Sequence, residues 1–166
     1  MTLTIDDKTR VEYNRSKGHV YIDIPIIREG GTNSDRINFM YDTGAYITVI
    51  NREMYEWYGL NKFPRRAATM GGYVGSTPGY IFQVPGMKIG KRLLLGVWAF
   101  TPKSKEIKQN LLGDNVIEYF RPLQDNQNDC FYFIDNLYPE PYMSPDKSLS
   151  FACDKIMIIE EMEASY

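Results

Sequence analysis

The sequence predicts an all-β protein with one or two short helices, and two observations carry that prediction, while a third excludes a membrane helix. Residues 20–26 alternate, with Val20, Ile22, Ile24 and Ile26 on one parity and Tyr21 and Asp23 on the other, the period-2 pattern of a strand with one buried face. Aromatic residues make up 14% of the chain and include 13 Tyr, a composition that suits pleated surfaces better than helices. Apolar runs are short: the longest, residues 93–100, contains Gly96 and falls far short of the ~20 residues that a membrane helix requires.

Taken in order, the strand at 20–26 is followed by a polar, turn-rich stretch from Arg28 to Asp35. Residues 37–41 form a second strand that runs directly into Asp42-Thr43-Gly44-Ala45, and residues 46–50 are again β-branched and apolar. Residues 51–60 read as a short helix. Asn51 is placed to cap it, Glu53 suits the positive N-terminal end, and Gly59 suits the left-handed position after the last turn. Met54 with Trp57 or Tyr58 would pack that helix onto the sheet at i, i+3 or i, i+4 spacing. Glycines then crowd the segment Met70-Gly71-Gly72-Tyr73-Val74-Gly75-Ser76-Thr77-Pro78-Gly79. Strands are expected at 80–84 and 87–89, then a Gly90-Lys91 turn and an apolar run at 93–100. After a basic loop at 103–108, Asp114 can cap a second short helix over 115–120, which Arg121-Pro122 ends. Two further strands are expected at 130–134 and 150–159, separated by a loop with Pro139, Pro141 and Pro145. No internal repeat is visible.

Composition narrows the chemistry. A chain of 166 residues with 43% hydrophobic residues has the size and content of one globular domain. A net charge of −2 gives no electrostatic footprint for nucleic acid or an anionic membrane. The first ten residues, MTLTIDDKTR, lack the apolar core of a signal peptide, so the expected location is cytoplasmic. His19 is the sole histidine and opens the first strand, which leaves Ser-His-Asp and Cys-His mechanisms without a natural base. Cys130 and Cys153 are too few for a zinc site. They could pair, but in a chain without a leader both are expected to stay reduced. No metal or organic cofactor is implied, and carboxylates remain as the candidate catalytic groups.

The informative carboxylate is Asp42, which ends an apolar strand. A carboxylate at such a place is costly to bury unless something shares its charge or its proton. Thr43 supplies a hydroxyl at the same spot, and Gly44 permits a tight turn and close approach of a second backbone. An ordinary β-turn would use the same residues. The glycine-rich stretch at 71–79 lacks the Gly-Lys-Ser/Thr ending of a phosphate loop and contains no Gly-x-Gly-x-x-Gly, which speaks against nucleotide binding.

Three pieces in order resemble the retropepsin-like aspartic proteases, the single-domain relatives of pepsin. They are Asp42-Thr43-Gly44-Ala45 with the run Tyr46-Ile47-Thr48-Val49-Ile50, the glycine-rich Met70-Gly71-Gly72-Tyr73-Val74-Gly75, and Leu111-Leu112-Gly113-Asp114-Asn115-Val116-Ile117. The likeness spans roughly residues 18–122, and the loop at 28–36 and everything after Pro122 fit poorly. The resemblance implies a closed acid-protease barrel. It also implies an aspartic endopeptidase acting on extended polypeptide, with Asp42, Thr43 and Gly44 catalytic and Ala45 completing the loop. Gly71, Gly72, Tyr73 and Val74 would form a substrate-covering flap.

In that family two aspartates share one proton, because like charges ~3 Å apart cannot both ionise. The chain has one Asp-Thr-Gly, so an active enzyme would be a homodimer with Asp42 of each subunit at the two-fold axis. Thr43 would make the contact across the dimer. The expected division is a protease domain over 1–122 and an extension over 123–166 that forms strands at the dimer interface or covers a groove. The acidic end, Glu160-Glu161-Met162-Glu163, reads as a solvated tail. The competing reading is a scaffold of the same fold that binds or dimerises without cleaving.

Overall fold

The structure, a computed structural model, describes residues 9–27, 35–72, 75–133 and 157–160. Expectations for the 28–34 turn, for Tyr73 and Val74, for Cys153, and for the strand positions before 157 lie outside those residues. So does the acidic stretch after Glu160.

Fourteen strands and two α-helices follow one another along the described residues. The first five strands are β1 (Arg10–Glu12), β2 (Asn14–Ser16), β3 (His19–Ile27), β4 (Arg36–Tyr41) and β5 (Thr48–Val49). Helix α1 (Arg52–Trp57) and a single 3₁₀ turn at Leu60–Lys62 precede β6 (Arg65–Gly72), β7 (Gly75–Val84), β8 (Gly86–Ile89), β9 (Arg92–Leu95) and β10 (Val97–Pro102). Then come β11 (Leu111–Leu112), α2 (Asp114–Phe120), β12 (Leu123–Asp125), β13 (Cys130–Tyr132) and β14 (Met157–Glu160). The main sheet runs β14-β9-β8-β3-β4-β11-β5-β10-β7-β6, with β2 paired to β3. The all-β class with two short helices is therefore what the chain adopts. Among the described residues no ladder joins β14 to β6, the two ends of that path.

Strand β3 forms as its alternation requires: Ile22, Ile24 and Ile26 are buried while Asp23 is exposed. It pairs antiparallel with β4, Ile22 opposite Phe39 and Ile24 opposite Ile37, so the apolar faces coincide and fix the register. Helix α1 begins where Asn51 Oδ1 accepts the Met54 N–H at 2.8 Å, and the chain leaves it through Gly59 at φ +67°. Its buried side is Tyr55, with Tyr58 just beyond it and Met54 partly covered. Of the two partners expected for Met54, Tyr58 is the buried one and Trp57 points to solvent at 76% exposure. Tyr55 takes the core position because it sits three residues before Tyr58, on the face that turns toward Phe82 of β7, with ring centroids 4.8 Å apart.

Other corrections are local. The apolar run 93–100 is two strands, broken by Gly96 at φ +73°. Strand β5 is only Thr48–Val49, because the chain before it forms the Asp42 loop. Strand β6 carries no alternating apolar pattern, yet it pairs along its whole length with β7, from Arg65 opposite Phe82 to Gly72 opposite Gly75. Asp114 is the first residue of α2 and not its cap; the cap position is Gly113, with no side-chain cap bond.

A second, three-stranded sheet runs β1-β13-β12. Through it residues 123–133 enter the main core: Phe131 and Phe133 are fully buried there with Tyr13 and Phe120. A polar cluster ties the same segment to the N-terminal strands, Tyr13 Oη donating to Asn126 Oδ1 at 3.2 Å and Arg15 Nη2 to the same oxygen at 3.0 Å. Cys130 is buried with a free thiol. A smaller cluster of Ile47, Val49, Ile81 and Phe100 packs apart from the main core, with Met70 and Leu111 at its edge.

Candidate active site

The chain leaves β4 at Tyr41 and turns through Asp42, Thr43, Gly44 and Ala45 before β5. Backbone bonds define this loop. The Asp42 N–H donates to the Leu112 carbonyl at 3.1 Å, and the Ala45 N–H donates back to the Asp42 carbonyl at 3.3 Å. The Gly44 N–H reaches the Asp42 carboxylate itself, donating to Oδ1 at 2.8 Å. A Cβ on Gly44 would lie 3.2 Å from that oxygen, so glycine leaves the carboxylate room to stay in place. Asp42 is half-buried, Thr43 and Gly44 are exposed, and Ala45 is buried.

The support beneath the loop comes from the third sequence element. Strand β11 lies parallel to β4, Leu112 opposite Tyr41, and antiparallel to β5. The Asp114 N–H donates to the Ala45 carbonyl at 2.7 Å, closing the loop against the start of α2. Buried Asn115 accepts from both the Thr48 N–H (2.9 Å) and the Thr48 hydroxyl (3.0 Å). Its amide donates to the Trp98 carbonyl at 2.8 Å, and the Thr48 hydroxyl accepts from the Gly113 N–H at 3.2 Å. One side chain thus joins β5, β10 and α2. Gly113 packs so tightly on Ile47 that a Cβ there would sit 2.4 Å from the Ile47 carbonyl carbon, a distance no side chain tolerates. Thr48 and Asn115 escaped sequence reasoning; the signal available was a polar pair placed inside two otherwise apolar runs.

Two neighbours of Asp42 have displaced ionisation. Burial pushes the Asp114 carboxyl up to about 6, with Glu118 and Asp42 adding like charge. Asp114 Oδ1 is buried without a hydrogen-bond partner. Burial also pushes the Tyr41 hydroxyl up to about 12, with Asp114 and Glu118 contributing. The Tyr41 ring stacks on Phe131 of β13, centroids 4.5 Å apart and planes at 18°.

Asp42, Gly44 and Ala45 form one wall of an open cleft of about 470 Å³. Val49, Phe100 and Leu111 make its apolar floor, and Met70, Gly71 and Thr77 face them from the β6–β7 hairpin. Of the expected flap residues, Gly71 lines the cleft and Gly72 ends the described part of β6 opposite Gly75. Tyr73 and Val74 are outside the described residues. Ile107 and Gln109 complete the rim. Among the described residues, no group of three or more His, Cys, Asp or Glu could hold a metal ion, and no helix is long and apolar enough to cross a membrane.

Comparison with known proteins bears on this arrangement. Residues 29–119 match the family described as "gag-polyprotein putative aspartyl protease", a span that contains the Asp42 loop, the hairpin and the β11–α2 element. A search of curated proteins returned no match. Among solved structures, a retropepsin-like aspartic protease from Rickettsia conorii superposes with a TM-score of 0.53 at 22% identity, covering 74% of this chain and 86% of that one. The EIAV protease in complex with the inhibitor HBY-793 is also similar, with a TM-score of 0.47 at 19% identity over 61% of this chain and 88% of that one. The first of these likenesses establishes the fold.

Proposed function

The chain belongs to the gag-polyprotein aspartyl protease family and has the retropepsin-like fold, and from that premise we propose that it is an aspartic endopeptidase that works as a homodimer. The observation that carries this reading is the place of Asp42. Its carboxylate is held by the Gly44 N–H on the wall of an apolar cleft, and Thr43 and Gly44 beside it are exposed. An exposed loop of this kind is free to meet its own copy across a two-fold axis.

In such a dimer the two Asp42 carboxylates share a proton. The ionised member takes a proton from a water held between them as that water attacks the peptide carbonyl. The protonated member gives its proton to the carbonyl oxygen, and the tetrahedral intermediate then collapses with a proton passed to the departing amine. Thr43 makes the hydroxyl contact between subunits, and Gly44 lets the two loops approach. The hairpin carrying Gly71, Gly72, Tyr73 and Val74 closes over an extended peptide, which pairs with it by backbone hydrogen bonds and is shielded from water. Residues 1–122 supply these parts, and strands from 123–166 take part in the subunit interface.

Cleavage of a peptide library by the purified chain, alongside Asp42→Asn and a sedimentation measurement, tests the reading. A dimer that cleaves, is inhibited by a statine-type analogue, and loses roughly 10²–10⁴-fold of its rate in Asp42→Asn supports it. A folded chain that binds its own copy but cleaves nothing supports a silent scaffold instead. A strict monomer without cleavage defeats the proposal outright.

A further inference from the structure

Several features offer themselves outside the catalytic loop. Arg52, Arg65 and Lys103 converge on the ring of Tyr80 at 4.0–5.4 Å. Glu56 and Glu53 already pair with Arg52, Lys105 and Lys108 of that surface, so it presents no strong anion site. A hollow lined by residues 15–20 is a hairpin turn whose residues 15–19 are all exposed. Asp114 is different, because its position is specified by the backbone and its chemistry is left unexplained by the fold.

The geometry has three parts. The Asp114 N–H is fixed on the Ala45 carbonyl at 2.7 Å, so the residue is bonded to the loop that carries Asp42. Its Oδ1 is removed from solvent and meets no donor, an arrangement that a carboxylate tolerates poorly and a carboxylic acid tolerates better. The charged and titratable groups that face it are Asp42 from the loop after β4, Tyr41 from β4, and Glu118 one turn along α2. Glu118 itself lies 3.8 Å from the Arg121 guanidinium, exposed at the far end of that helix. No cation among these neighbours is bonded to Asp114.

We propose that Asp114 is a positioning residue for the Asp42 pair, fixing through its own charge the pH at which the reaction fails on the alkaline side. The inference rests on the protease reading above. The aspartate pair works only while it retains its one shared proton. A neighbouring carboxylate that ionises adds negative charge close to the pair and opposes loss of that proton. Asp114 goes from neutral to anionic around pH 6. The enzyme therefore holds its proton to higher pH than the same loop would without Asp114. In a dimer the effect is doubled by symmetry, one Asp114 beside each Asp42.

The test is the pH profile of kcat/KM and of kcat for the full-length chain, for Asp114→Asn and for Asp114→Glu. In Asp114→Asn both profiles should lose their alkaline limb at lower pH, by roughly half a unit or more, while Asp114→Glu restores the limb toward its original place. A residue that merely held the loop would lower the height of the profile and leave its limbs where they were. Coincident limbs in Asp114→Asn, or a limb displaced to higher pH, overturn the inference and leave the protease assignment standing. An unsubstituted chain that cleaves at no pH removes both. Circular dichroism of each variant distinguishes a moved limb from lost fold.

Discussion

Asn115→Ala is the sharpest test of how the Asp42 loop is held. Asn115 is buried, and its side chain satisfies the Thr48 N–H, the Thr48 hydroxyl and the Trp98 carbonyl at 2.9, 3.0 and 2.8 Å. Truncation removes all three bonds in one step. The hydroxyl can turn toward another acceptor, which leaves the Thr48 N–H and the Trp98 carbonyl stranded along with the space of the lost amide. At about 1–3 kcal/mol for each buried group left unpaired, the expected loss is about 4 kcal/mol. For a chain of this size each kcal/mol displaces the melting midpoint by about 2–4 °C, so a fall of about 10 °C is expected. Urea unfolding followed by circular dichroism reads the free energy directly, and the slope with urea should be unchanged if the folded and unfolded states keep their surfaces. Asn115→Asp should destabilise similarly, because it turns the donor facing the Trp98 carbonyl into an acceptor. A loss below about 1 kcal/mol in Asn115→Ala would show that water or a shifted backbone replaces the amide, and the account of the loop's support would be wrong.

Other expectations are quickly stated. Gly113→Ala places a methyl 2.4–2.7 Å from backbone atoms of Ile47 and Thr48; backbone cannot yield as a side chain does, so it should cost at least ~3 kcal/mol in the same urea assay. Ala45→Thr adds a hydroxyl donor beside the Asp42 carboxylate, favouring its charged form, and should carry the acidic limb of the rate profile to lower pH; an unmoved limb counts against the reasoning. Folding raises Asp114 from an ordinary 3.8 to about 6, so the folded chain keeps a proton that the unfolded chain has released. This group's contribution to stability is complete below about pH 4 and disappears as pH rises through 6. Melting midpoints should fall across that window, and Asp114→Asn should flatten the fall.

How much of this was legible in the sequence depends on where each signal came from. Strands β3 and β4 could be read directly because Ile22, Ile24, Ile37 and Phe39 alternate with polar residues on a half-buried sheet. The start of α1 was equally plain, since Asn51 is a cap by its own chemistry. The Asp42 loop was marked by residue types. Strand β6 could not be read: Arg65, Arg66 and Ala67 are exposed, and the strand exists because β7 offers it a ladder. On α1 the spacing leaves Trp57 and Tyr58 as alternative partners of Met54; Tyr58 is the one that packs, and Tyr55, which the spacing does not single out, is buried because Phe82, far away in the chain, meets its ring. Asp114 was read as a cap, whereas its buried Oδ1 depends on the loop folded over it. Local chemistry specified the turns and the carboxylate; contacts between distant segments specified what surrounds it.

The pairing of β1 with β13 has a consequence for how the molecule comes into being. Arg10 bonds opposite Tyr132 and Glu12 opposite Cys130, so nearly the whole described chain separates one strand from its partner. Contacts so remote in sequence close late and slow the search for the native topology. During synthesis the N-terminal strand emerges first and waits unpaired until residues 130–132 have left the ribosome. Phe131, which those residues carry, is also the ring on which Tyr41 stacks. The neighbourhood of the Asp42 carboxylate is therefore finished only when that late-made segment arrives, and a nascent chain shorter than this lacks the ring on which Tyr41 stacks.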